Sequence, residues 1–137
     1  MFRSSIILLN RLFLVVACAV MSSFSTAADT SVAAPDIENG KATFNIMCAV
    51  CHSVQRTGGP VEGPNLLGLV GRQAASHPEF GRYSNALRAS NLTWNVDALD
   101  QFLSNPMETV PGTIMPMLIA DDKTRADVIA YLATLEE

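Results

Sequence analysis

The run Cys48-Ala49-Val50-Cys51-His52 constrains this chain more than any other stretch. C-x-x-C-H is the spacing at which a c-type haem is attached. Two thiols about one helical turn apart can each add to one vinyl group of the porphyrin. The imidazole that follows is then held against one face of the ring, where it can ligate the iron. Two other uses of a cysteine pair fit less well. A redox dithiol usually sits at the strand-to-helix turn of a βαβ unit, and no such unit is legible here. Half a zinc site needs a second C-x-x-C or an H-x-x-x-H downstream, and neither follows.

The chain is 137 residues long, enough for one domain plus a leader. Arg3 and Arg11 precede the apolar run Leu12 to Val20, and small polar residues then lead to Ala27-Ala28-Asp29. That is the layout of a secretory signal peptide over residues 1–27, cleaved after Ala27 or Ala28. A retained anchor is the alternative, although the uninterrupted run from Leu12 has only nine residues, too few to span a bilayer. Val15-Val16-Ala17-Cys18 also loosely resembles a lipoprotein box. Cys18 lies in the leader, so the exported chain keeps two cysteines and has no long-range disulfide to build. Export points to the periplasm, or to a membrane-anchored form facing it. Cleavage removes Arg3 and Arg11 and leaves seven Lys+Arg against 13 Asp+Glu, a net charge of −6. A chain so acidic is a poor nucleic-acid binder. It is steered instead toward basic patches on protein partners.

Residues 28–35 read as a flexible lead-in, and 36–137 as the folded domain. Asp36 is placed to cap a helix from Ile37, with Ile37, Gly40, Phe44 and Met47 on one face. Gly40 costs about 1 kcal/mol of helix propensity against Ala, which suggests close approach of a second helix. Gly and Pro make loop of 53–64, and Leu66 to Gln73 cannot hold a long helix. Ser84 to Ala89 forms a short helix. Asn95 caps a second firm helix with the stripe Val96, Leu99, Phe102 and Leu103, which stops at Asn105-Pro106. Val110 to Met117 is loop. Asp121 or Asp122 caps a last helix to about Leu135, burying Val128, Ile129, Leu132 and Leu135 beside Tyr131. Three main helices with long Gly/Pro loops give a small core, which a bound haem would complete.

His52 fills one axial position on the iron. The other is open or is filled from far away in sequence, by Met47, Met107, Met115, Met117, His77 or, at high pH, a lysine. Met47 adjoins the motif and cannot easily reach the opposite face. A lone methionine is usually core filler. The loop Val110-Pro111-Gly112-Thr113-Ile114-Met115-Pro116-Met117 changes that, because it can drape over a haem without needing helix hydrogen bonds. A thioether there would raise the potential of the iron.

These residues together resemble a class I cytochrome c of the mitochondrial type and its bacterial relatives, over about Asp36 to Leu135. Gly40 and Phe44 stand at the family's helix-contact positions. Gly63-Pro64-Asn65-Leu66, Gly68-Leu69 and Gly71-Arg72 resemble its G-P-N-L-x-G-L-x-G-R run. Leu92-Thr93-Trp94, Pro111-Gly112-Thr113-Ile114-Met115 and Ala130-Tyr131-Leu132 resemble later segments. The resemblance implies an all-α cytochrome c fold around one haem c, bonded by Cys48 and Cys51 and ligated by His52 and Met115. It implies that the Pro64 carbonyl holds the His52 ring and that Arg72, Tyr83 and Trp94 hold a haem propionate. It also implies that Gly40 and Phe44 pack near Tyr131. Three positions depart from the mitochondrial pattern. Phe102 stands where a tyrosine lies near the methionine sulfur, Met107, Glu108 and Ile114 replace lysines at the haem edge, and Met117 replaces an aromatic.

The expected function is that of a periplasmic one-electron carrier in a respiratory chain, not an enzyme. Its donor would be a quinol-oxidising complex or a dehydrogenase, and its acceptor an oxidase or reductase. Membrane association would require the leader to be retained. An open-site peroxidase or gas sensor and a dedicated subunit of a larger complex are the competing readings. The single C-x-x-C-H argues against a two-haem peroxidase.

Overall fold

In the computed structural model, residues 33–57 and 62–136 are described. The expected signal segment, Cys18, most of the lead-in and residues 58–61 of the first loop lie outside the described residues. Five helices follow one another, and no strand forms among the described residues. None of these helices is long and apolar enough to cross a membrane.

Side-chain caps start every helix. In α1 (Ile37–Met47) the Asp36 carboxylate accepts the Asn39 N–H at 3.0 Å. Ser84 accepts from Leu87 at the start of α2 (Asn85–Ala89), and Asn95 accepts from Ala98 at the start of α3 (Val96–Ser104). Asp121 accepts from Thr124 to begin α5 (Asp122–Ala133). Each side-chain oxygen satisfies one of the amide groups a helix start leaves without a partner. The proline after Asn105 ends α3 as expected. It also occupies the first position of α4 (Pro106–Thr109), with Asn105 as that helix's cap. Proline lacks the N–H a first turn leaves unused, so the residue that stops one helix opens the next.

The expected stripes are buried except at their ends. Ile37 and Val96 are exposed, and Leu135 is half-buried beyond the last turn of α5. Helices α1 and α5 cross at Gly40. A Cβ there would collide with the Asp127 carbonyl and lie 3.1 Å from the Tyr131 Cβ. The missing side chain therefore lets the two backbones meet. One turn on, the Phe44 and Tyr131 rings pack with centroids 5.5 Å apart.

Two charged residues of α5 are buried where the sequence suggests only an apolar face. Asp127 has no exposed surface and ties both helices together. Its carboxylate accepts the Asp36 N–H and the Asn39 side-chain amide, each at 2.7 Å, and the Lys123 ammonium at 2.6 Å. These bonds, the Lys123 one first, hold its carboxyl down at about 2. Arg125 is also buried. It donates to Asp100 on α3 at 2.7 Å, to Asp122 at 2.8 Å, and to the carbonyls of Ile119 and Ala120.

Two outcomes follow. Gly40→Ala wedges α1 from α5 and lowers the unfolding free energy by about 1–3 kcal/mol, the usual cost of overpacking, read from urea denaturation. Asp127 is ionised in the fold at pH values where the unfolded chain is already protonated. Its contribution is complete above the ordinary value of 3.8 and is lost as the pH falls toward about 2. Asp127→Asn therefore lowers stability at pH 7 and flattens the decline between pH 4 and pH 2, as urea midpoints across that range will report.

Candidate haem site

The haem motif continues α1 as a turn. The Cys51 and His52 amides both donate to the Cys48 carbonyl, at 3.0 and 2.9 Å. This turn carries Cys48, Cys51 and His52 to the wall of one cavity of about 450 Å³, within the range of ligand sites. Cys48 and Cys51 are not joined to each other by a disulfide. Burial, with a smaller contribution from Cys51, pushes the Cys48 thiol up to about 11, so it stays protonated. A zinc site wants four ligands, and among the described residues no group of three or more His, Cys, Asp or Glu side chains could hold a metal ion.

His52 is fixed by the loop that follows it. Its Nδ1 donates to the Pro64 carbonyl at 2.8 Å. A carbonyl can only accept, so this bond selects the tautomer and leaves the Nε2 lone pair for a ligand. Burial pushes the imidazole below its ordinary value, partly offset by the Pro64 bond, and so favours that neutral form. The loop reaches the ring because its Gly63 amide donates to the Cys51 carbonyl and its Leu66 amide to Ser53, each at 2.8 Å. Gly63 has no alternative there: a Cβ would overlap the His52 ring. Sequence reasoning identified this glycine only as a chain breaker and as part of a family run.

The opposite wall comes from the stretch between α4 and α5. Val110 to Thr113 forms a turn closed by the Thr113 amide on the Val110 carbonyl at 2.9 Å, with Gly112 at φ +93. Proline then glycine with positive φ is the type II turn pattern. The strap is fastened at its far end by the Ile119 amide on the Leu103 carbonyl at 2.8 Å and by Arg125. Met115 and Met117 both line the cavity. Met115 is half-buried and packs on the core, whereas Met117 is more exposed. Met47 lines it from the motif's own side. Met107 is exposed and does not line it, and His77 faces a separate polar hollow with Gln55 and Arg56.

The remaining expected residues form one corner. Backbone pairing of 71–74 with 92–94 sets Arg72 beside Trp94: the Trp94 amide donates to the Arg72 carbonyl at 2.9 Å, and the Gly71 amide to Trp94 at 2.7 Å. The Arg72 guanidinium donates to the Leu67 and Asn65 carbonyls. Burial raises the Tyr83 phenol, while the His77 amide and the charges of Arg72 and Arg88 pull it back. All eight residues expected at the site, Cys48, Cys51, His52, Pro64, Arg72, Tyr83, Trp94 and Met115, line this one cavity. Its walls are mostly apolar, with Arg72 at this corner and the Glu62–Arg82 pair among the polar lining residues. That suits a flat apolar macrocycle carrying acid groups on one edge, so the residues present fit a haem.

Comparison with known proteins agrees. A family model described as cytochrome c matches residues 37–136. Cytochrome c2 of Rhodomicrobium vannielii is 42% identical over 106 residues, covering 77% of this chain and 83% of that one. Cytochrome c of Euglena viridis is 40% identical, covering 74% of this chain and 99% of its own. The solved structure of cytochrome cH from Methylobacterium extorquens superposes with a TM-score of 0.65 at 39% identity, over 72% of this chain and 98% of that one.

Gly63→Ala tests how the ring is held. It displaces His52 from Pro64 and lowers stability by about 1–3 kcal/mol in urea, as overpacking does. An unchanged midpoint would mean that the loop yields to the added methyl at no cost.

Proposed function

The chain belongs to the cytochrome c family, and on that footing we propose that it is a periplasmic one-electron carrier whose haem iron is held between His52 and Met115. The family carries one haem c, and Cys48 and Cys51 are spaced to bond it. When bound, the haem supplies an iron centre that cycles between Fe(II) and Fe(III) without making or breaking bonds in a substrate.

The chain's own residues tune and protect that centre. The observation that carries the reading is the His52–Pro64 bond at 2.8 Å, in a cavity that Met115 also lines. It commits Nδ1 as donor, which makes the other ring nitrogen a better base toward a metal. A sulfur ligand opposite favours the reduced iron. Arg72, Tyr83 and Trp94 are suited to a buried propionate. The apolar wall of Leu69, Leu99, Phe102 and Val128 excludes water and lowers the local dielectric. His52 and Met115 would hold the iron between them and leave no open position for a substrate, which suits electron exchange with protein partners. A quinol-oxidising complex or dehydrogenase fits as donor, and an oxidase or reductase as acceptor. The leader residues Met1 to Ala27 support export to the periplasm.

Phe102 is buried against the cavity, where the mitochondrial type has a tyrosine. A hydrogen-bonded thioether is a weaker electron donor than a free one. Phe102→Tyr therefore raises the midpoint potential, and potentiometry showing no rise would remove this account of the residue. The ligand assignment is tested by two substitutions. Met115→Ala lowers the midpoint potential and opens the iron to added imidazole, whereas Met117→Ala does neither. The reverse pattern would assign the ligand to Met117.

A further inference from the structure

The strap that carries Met115 hangs between two fastenings. At its near end the Thr113 amide closes a turn on the Val110 carbonyl, and Thr113 is buried. At its far end Ile119 is gripped through both of its backbone groups. Its amide donates to the Leu103 carbonyl at 2.8 Å, and its carbonyl accepts from Arg125 Nη1 at 2.9 Å. The next carbonyl, of Ala120, accepts from the same nitrogen at 3.3 Å. Between the fastenings the Met115 amide reaches the Thr113 hydroxyl at 3.5 Å, too long to hold the segment by itself.

Arg125 can grip the strap only if its own charge is held. Its side chain is 7% exposed, and a guanidinium taken out of water needs a counter-charge and acceptors for its N–H groups. Two carboxylates are in reach. Asp122 accepts from Nη2 at 2.8 Å, but it lies three residues away on the same helix and is 92% exposed, where an ion pair contributes little. Asp100 accepts from Nε at 2.7 Å, comes from α3 across 25 positions of sequence, and is 47% exposed. Its hydrogen bond is also the first influence holding the guanidinium above its ordinary value. Helix α3 lines the cavity with Leu99, Phe102 and Leu103, and its Leu103 carbonyl already holds Ile119. Asp100 therefore ties the strap to the cavity wall through one buried arginine.

We propose that Asp100 is a positioning residue for the axial sulfur: through Arg125 it fixes the far end of the strap and sets how often Met115 leaves the iron. The proposal rests on the reading of Met115 as the ligand and names what holds that ligand in place. Without the carboxylate the guanidinium turns toward water and releases the Ile119 and Ala120 carbonyls. The strap then swings on its Thr113 end, while α1 and α5 stay packed through Gly40 and Asp127. An added ligand binds the iron only when Met115 has left it. Its apparent affinity therefore rises in proportion to the fraction of molecules with the strap open.

The test uses the ferric holoprotein, with imidazole as the probe. Asp100→Ala binds imidazole about tenfold more tightly than the parent, which corresponds to an open fraction about tenfold larger. Asp100→Asn, which keeps the shape and loses the charge, shifts the affinity in the same direction by less, and Asp100→Glu stays close to the parent. Amide hydrogen exchange speeds up more at Ile119 than at Phe44, as local opening of the strap requires. Asp127→Asn weakens the fold on the side of α5 that faces α1. It lowers the urea midpoint and leaves the imidazole affinity unchanged. Imidazole affinity equal to the parent's in both Asp100→Ala and Asp100→Asn would overturn the proposal. So would an equal gain in Asp127→Asn, because Asp100 would then serve stability alone. A parent that lacks the sulfur-to-iron band and already binds imidazole readily would remove the Met115 reading itself, and the role of Asp100 with it.

Discussion

The core of this domain is built around a hole, and most of the structure follows from that. Of the 14 buried apolar side chains among the described residues, eight (Leu69, Phe80, Trp94, Leu99, Phe102, Leu103, Val128 and Leu132) line the cavity. They form a curved wall of a size suited to an apolar macrocycle. A protein interior is normally packed as densely as an organic crystal, and lining atoms without neighbours forgo dispersion energy. A domain of roughly 100 residues cannot easily carry such a defect unless something fills it. A covalently held apolar macrocycle does so without a binding equilibrium to satisfy. The same group is then both the missing core and the reactive centre.

That requirement explains the division of labour among the elements. Helices α1 and α5 pack directly on each other, while Met47, Val128 and Leu132 on the same two helices also line the cavity. The two helices meet backbone to backbone at Gly40, stack Phe44 on Tyr131, and are stapled by the Asp127 carboxylate. The Gly63–Pro64 loop presses on His52 from one side, and the strap from Val110 to Ala120 closes the other. Irregular backbone suits this work, because a wall of varied curvature needs turns where helices cannot bend. The strap's amides and carbonyls are met individually, by Leu103 and Arg125 among others. A strap fastened at both ends would keep the proposed ligand Met115 in place without a helix beneath it.

Much of this was legible in the sequence, for identifiable reasons. Asp36, Ser84, Asn95 and Asp121 announce helix starts because a short polar side chain before an apolar-periodic run has a local partner three residues on. Gly40 signalled a close approach because glycine inside a helix needs a reason. The haem motif is local, so its chemistry could be read directly. Helix α4 was missed because Pro106 was read only as a stop, although proline is equally suited to a first position. The buried roles of Asp127 and Arg125 were hidden because their main partners are remote: Asp36 lies 91 positions from Asp127, and Asp100 lies 25 from Arg125. A charged residue beside an apolar stripe looks like a solvated flank until a second helix supplies its donors. Gly63 was seen as a loop residue, since nothing in sequence tells that an imidazole lies against it. The gathering of Arg72, Tyr83 and Trp94 at one corner followed from resemblance alone, and backbone pairing of 71–74 with 92–94 supplies its physical cause.

The account stands or falls on what fills the second axial position of the iron. The direct measurement is the optical spectrum of the purified holoprotein, ferric and ferrous, with carbon monoxide added to the ferrous form. Ligation by His52 and Met115 predicts the long-wavelength sulfur-to-iron band in the ferric spectrum and a ferrous spectrum that carbon monoxide leaves unchanged. A missing band together with ready carbon monoxide binding would contradict it, and would make the site an open one suited to sensing or catalysis.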